Sequence, residues 1–164
     1  LVKVHGFTLM DNHYHLVLGE MKESGITRFM QKLGTGMTNR FNTRYKETGR
    51  LFQGAYKARR IDSDNYLEYL AVYVHVKNVF ESYPGGLKNA LTHFDDAFKF
   101  AVGYPYSSLG AYFSNDHVRT PIIAADIWQE TFKNKSEFKE FARNCIEFVY
   151  FDDHTGTVNG GMEV

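Results

Sequence analysis

The sequence predicts an α+β fold. Residues 3–10 and 14–19 have the apolar and β-branched composition of two strands joined by a tight turn. From residue 24 onward, apolar residues recur mainly at helical spacing. At 164 residues, with 14 Phe and 11 Tyr, the chain can bury one real core and fits one domain with a small helical appendage.

The elements follow in order. KVHGFTLM (3–10) reads as a strand, Asp11-Asn12 as turn chemistry, and residues 14–19 as a second strand. Between residues 24 and 46, Ile26, Phe29, Met30, Leu33, Met37, Phe41 and Tyr45 repeat at three- and four-residue spacing. Ser24 is the expected N-cap, Gly34 and Gly36 weaken the middle, and Thr48-Gly49 ends the helix. LFQGAYKARRI (51–61) reads as two short strand pieces about Gly54 that bring the arginines beside the first strands. Asp62-Ser63-Asp64 offers caps for a helix that buries Tyr66, Leu67, Leu70 and Val74. A turn at 83–86 precedes expected helices over 87–102, 122–132 and 136–150, with YPYSSLGAY (104–112) an irregular packing segment.

This reading divides the chain into a core over 1–82, a helical extension over 83–150 and a flexible tail over 151–164. The chain opens at Leu1, directly in a strand-like run. That start suggests a fragment whose first elements are missing. The one cysteine, Cys145, cannot form an internal disulfide, which fits a cytoplasmic protein. No apolar run approaches the roughly 20 residues of a membrane span, and the N-terminus is not a signal peptide.

Charge is balanced overall and unbalanced locally. Nine basic residues (Arg28, Lys32, Arg40, Arg44, Lys46, Arg50, Lys57, Arg59, Arg60) and one acid, Glu47, lie between Ser24 and Arg60. The rest of the chain has ten basic residues and 18 acids. Such a segment is the footprint of a polyanion site; the plainer reading is a solvated helix face. Phe52, Gln53 and Tyr56 lie among these charges, where rings can stack on exposed bases while the cations track a single-stranded backbone.

His13 and His15 flank Tyr14. Positions i and i+2 of a strand share a face, so both imidazoles point the same way at the strand entrance and can grip one metal ion. An ordinary half-buried strand gives the same spacing.

Taken together, LMDNHYHLVL, GRLFQGAY, YVHVKNV and YPYSSLGAY stand in the order of four motifs of the single-tyrosine HUH transposases. The chain resembles that family, in particular the REP-associated tyrosine transposases, from Phe7 to about Tyr112 and more weakly to Val149. In that branch the corresponding segments resemble LMPNHVHLLL, G-x-L-[WF]-Q-x-x-[YF], YIHxNPV and a W-S-S-Y-like element. The resemblance implies a ferredoxin-like or RRM-like antiparallel sheet with packed helices, lacking here its first strand and helix. It also implies Tyr73 as nucleophile, His13 and His15 as ligands of a divalent ion (Mn or Mg, with zinc not excluded by spacing), and single-stranded DNA with a hairpin as partner. The protein would act as a monomer or homodimer, with no membrane.

Two positions depart from the family pattern. Asp11 replaces a proline, which keeps the turn. More seriously, Lys77 stands where the family has an asparagine four residues after the tyrosine, and the asparagine follows as Asn78. In a regular helix position i+5 is rotated by about 140° from the tyrosine, so Asn78 reaches the metal only if the helix bulges or ends. An inserted residue is commonly absorbed as a π-bulge, and that is the expectation here. Lys77 can lower the Tyr73 pKa or orient a phosphate; otherwise it is a surface lysine. Tyr66 and Tyr69 read as packing residues, His75 as a structural hydrogen bonder and His5 as a core histidine. Two rival functions remain open: a non-catalytic nucleic-acid-binding module, and a metal-dependent phosphohydrolase in which Tyr73 is structural.

Overall fold

The computed structural model describes residues 1–113, 122–124 and 126–155, with side chains through residue 148. The fold is mixed α and β, with one two-stranded antiparallel sheet and several helices among the described residues. Strand β1 (Val2–Leu9) and strand β2 (Tyr14–Glu20) form a hairpin. Its turn is closed by the Met10 N–H donating to His13 O, and its open end by the Met21 N–H donating to Leu1 O. Two compact units make up the chain: Leu1–Lys3 with Leu18–Arg60, and Val4–Val17 with Ile61–Val164.

In the first unit, helix α1 (Gly25–Tyr45) matches the expected periodicity. Its start differs from expectation. Ser24 adopts a left-handed conformation and makes no side-chain cap bond. Glu20 takes over, its Oε1 accepting from the Ile26 N–H at 3.2 Å, which also sets an anion at the positive end of the helix. A side chain at Gly25 would meet Leu1 O at 2.3 Å, so the close approach there requires glycine. The two strand pieces expected over residues 51–61 are absent. Residues 51–60 form bends and irregular chain, and Gln53–Arg60 are all exposed. With no alternation of buried and exposed side chains, no face exists to dock such a strand.

The second unit is built around a helical rod. Helix α2 (Asp64–Val72) begins at Ser63, whose hydroxyl accepts from the Tyr66 N–H at 3.3 Å. It passes into a π-turn over Tyr73–Lys77 and then into helix α3 (Asn78–Glu81). The chain reverses at Gly85 and Gly86, both with positive φ, and enters helix α4 (Gly86–Thr92). Helix α5 (Phe94–Gly103) is separate, because His93 leaves helical geometry and splits the single helix expected there. Helix α6 (Leu109–Phe113), helix α7 (Asp126–Thr131) and helix α8 (Lys135–Thr155) follow. The backbone of α8 thus carries helix into the first residues of the expected tail; the remainder of that tail lies outside the described residues.

Val76, Val79 and Phe80 are completely buried and pack with Phe94, Phe98, Leu109 and Phe138. Burying one such large side chain stabilises the fold by about 1.5–3 kcal/mol, so this cluster anchors the rod that carries Tyr73. Trp128 and Tyr112 both donate to the carbonyl of His5, tying α6 and α7 to β1. No described helix is long and apolar enough to cross a membrane.

Candidate functional site

His13 sits in the turn and His15 at the start of β2, and their rings meet edge to face with centroids 5.0 Å apart. The pairing expected from i, i+2 spacing is present. Asn12 Oδ1 lies 2.6 Å from His13 Nδ1. A carboxamide oxygen only accepts, so this contact places the His13 proton on Nδ1 and leaves the Nε2 lone pair for another ligand. His15 Nε2 is buried with no hydrogen-bond partner. Burial lowers the His15 pKa, nearby His13 and Lys77 lower it further, and Glu81 opposes them. His15 is therefore neutral at neutral pH, the form in which an imidazole ligates a metal.

Tyr73 reaches the same place from the π-turn. Its ring stands edge-on to His15, with centroids 5.3 Å apart and planes at 86°. Tyr69 packs against it at 6.1 Å, and Tyr66 follows Tyr69 at 6.5 Å, so both act as the packing residues expected. Lys77 Nζ lies 5.3 Å from the Tyr73 ring centroid and 2.6 Å from Glu81 Oε1. The lysine is thus held beside the tyrosine by a carboxylate and a ring face.

The π-turn settles where the inserted residue goes. The Asn78 N–H donates to Tyr73 O, five residues back, rather than to Val74 O. Asn78 follows Tyr73 by one wide turn, and its side chain is buried with Nδ2 unpartnered. An unpaired buried amide costs on the order of 1–3 kcal/mol, so its retention calls for a partner that none of the described residues supplies. Turned over, the same carboxamide presents Oδ1. Two neutral imidazole nitrogens and a carboxamide oxygen fit a divalent ion of the manganese or magnesium kind. Among the described residues no three His, Cys, Asp or Glu side chains cluster in a way that can hold a metal.

His75 points away from this group. It is buried between Ala71 O (3.1 Å from Nδ1) and Ser108 Oγ (2.8 Å from Nε2), and burial pushes its pKa down to about 4. His5 is buried as well, with Nδ1 3.1 Å from Ala124 O and 3.4 Å from Asp126 Oδ1. Both are structural.

The basic residues belong to the first unit. Arg28, Lys32, Arg40 and Arg44 are exposed on α1, and Arg50, Lys57, Arg59 and Arg60 on the irregular segment after it. Arg50 and Phe52 line a shallow cleft with Gly34, Thr38 and Asn39 of α1 and with Gly49. Tyr56 OH lies 3.3 Å from Thr27 Oγ1, and Gln53 is exposed.

Sequence reasoning missed Asn12 and Glu81. Asn12 directly precedes the histidine pair, and Glu81 is four residues beyond Lys77, so helical spacing from the tyrosine was the available signal for it.

The histidine pair at the hairpin turn thus faces a tyrosine on the helical rod. Residues 1–77 match the family model described as Transposase IS200 like. The match contains every candidate residue except Asn78 and supports a transposase assignment for that part of the chain. No curated protein and no solved structure matches the chain.

Proposed function

We propose that this protein is a single-tyrosine HUH transposase of the REP-associated branch, cutting and rejoining single-stranded DNA at or near a hairpin. The edge contact between His15 and Tyr73 supports this reading, because it sets the histidine pair against the tyrosine that follows the family motif. The Tyr73 phenolic oxygen attacks the phosphorus, giving its proton to solvent or a nearby base, and the P–O bond to the departing 3′ oxygen breaks. That oxygen takes up a proton from solvent, which leaves a 5′-phosphotyrosine and a free 3′-hydroxyl. A divalent ion held by His13, His15 and Asn78 would neutralise the phosphate charge. Lys77 adds a cation beside the tyrosine, and the packed helix limits the nucleophile's travel.

The basic segment grips the strand, with Phe52 and Tyr56 available for base stacking. The hairpin and rod would form part of a ferredoxin-like core. The protein would work in the cytoplasm, as a monomer or homodimer. Incubating it with end-labelled, hairpin-bearing single strands and manganese, then running denaturing gels, tests the reading. A protein-linked DNA band is expected. Cleavage without that band would mean hydrolysis by water, and binding alone would mean a non-catalytic module.

A further inference from the structure

The π-turn that accommodates Lys77 leaves a carbonyl to be satisfied. In an α-helix, Val74 O would accept from the Asn78 N–H, but here that N–H goes to Tyr73 O. Val74 O accepts instead from the hydroxyl of Thr8, at 2.5 Å. Thr8 lies on β1, is completely buried, and has Ser107 Oγ at 3.2 Å. Ser107 also accepts from the Leu109 N–H at 3.2 Å, and Thr8 and Ser107 form an isolated β-bridge. Ser108 makes a parallel tie, accepting from the Phe7 N–H at 2.8 Å while facing His75 Nε2 at 2.8 Å. The two serines of YPYSSLGAY, unassigned by the cleavage chemistry, therefore both brace β1 against the π-turn.

We propose that Thr8, braced by Ser107, is a positioning residue: its hydroxyl takes the carbonyl released by the π-turn and fixes the tyrosine helix to the hairpin that carries the histidines. The catalytic consequence rests on the tyrosine-attack reading; the clamp itself rests on the geometry. β1 and β2 are one hairpin, so this bond from β1 helps to set the spacing between the imidazole pair and Tyr73. Loss of the bond leaves the π-turn unbraced, so the Asn78 N–H to Tyr73 O bond opens more often and Asn78 no longer holds one position relative to Tyr73. A displacement of about 1 Å at a reacting group can cost on the order of a hundredfold in rate.

Thr8→Val keeps shape and burial and removes only the hydroxyl; Thr8→Ser restores it. In the unliganded protein, hydrogen exchange at the Asn78 amide is expected to accelerate more than about tenfold in Thr8→Val, with the α5 amides keeping wild-type protection. Single-turnover adduct formation on the hairpin strand should fall more than about tenfold while strand affinity stays within about twofold. Thr8→Ser should recover both. Wild-type exchange at Asn78 in Thr8→Val would overturn the clamp, as would an equal loss of protection in α5, which marks a general core residue. Wild-type adduct rates in Thr8→Val would overturn its positioning role. Absence of any adduct from the wild-type protein would instead overturn the tyrosine-attack reading, with the exchange arm still deciding the clamp.

Discussion

Asn78 donates its backbone N–H to the carbonyl of Tyr73, five residues earlier, so one wide turn separates the proposed nucleophile from the buried carboxamide. A regular helix would put Lys77 at that spacing instead. The inserted lysine is displaced to the surface side, where it meets Glu81 and the tyrosine ring.

Metal affinity should follow this division of roles. Asn78→Ala is expected to weaken manganese binding markedly, and Lys77→Ala to leave it unchanged or raise it, because a nearby cation is removed. His13→Ala and His15→Ala should each abolish metal-dependent cleavage, and Asn12→Ala should cost roughly tenfold in affinity by freeing the His13 tautomer. Isothermal titration with manganese measures the affinities, and denaturing gels of the labelled strand measure cleavage. A silent Asn78→Ala beside an inactive Lys77→Ala would mean that lysine has replaced the carboxamide.

Acid should destabilise the fold through His75. Its folded pKa is pushed down to about 4 by burial, against about 6.5 in an unfolded chain. Between those values the unfolded state binds a proton that the folded state refuses, so stability rises with pH across this window. Acidification from pH 6.5 to 4 should therefore remove on the order of 3 kcal/mol, and the loss from this group should level off as the pH falls through the folded pKa. Urea midpoints measured across the window should show a flatter pH dependence in His75→Gln; an unchanged slope would place the acid sensitivity elsewhere.

Neutralising Arg59 and Arg60 together should weaken binding to all strand sequences about equally. It should flatten the salt dependence by up to roughly two counterions. Fluorescence anisotropy over a salt series reads this directly. An unchanged slope would make the exposed segment a solvated surface.

Much of this was legible in the residues themselves. The hairpin, α1 and the tyrosine helix follow from alternation, turn chemistry and helical spacing, because their apolar positions are set by burial. The π-turn was legible only as a mismatch between Lys77 and a family motif; helical spacing alone is blind to it. The strand pieces at 51–61 were misread because β-like composition does not supply a partner edge, and Gln53–Arg60 find none to dock on. Ser24 resembled a cap, but capping depends on backbone conformation, and the left-handed turn there hands the role to Glu20. Thr8, Ser107 and Glu81 gain meaning only through contacts with the π-turn or its lysine, which no linear pattern shows.

Peptide mapping by mass spectrometry of the DNA-linked protein tests the central claim most directly. The account predicts a nucleotide adduct on the peptide containing Tyr73, localised to that residue by fragmentation. It also predicts no adduct in Tyr73→Phe, with strand binding retained within about twofold. An adduct mapped to Tyr69 or Tyr66, or one that persists in Tyr73→Phe, would contradict it.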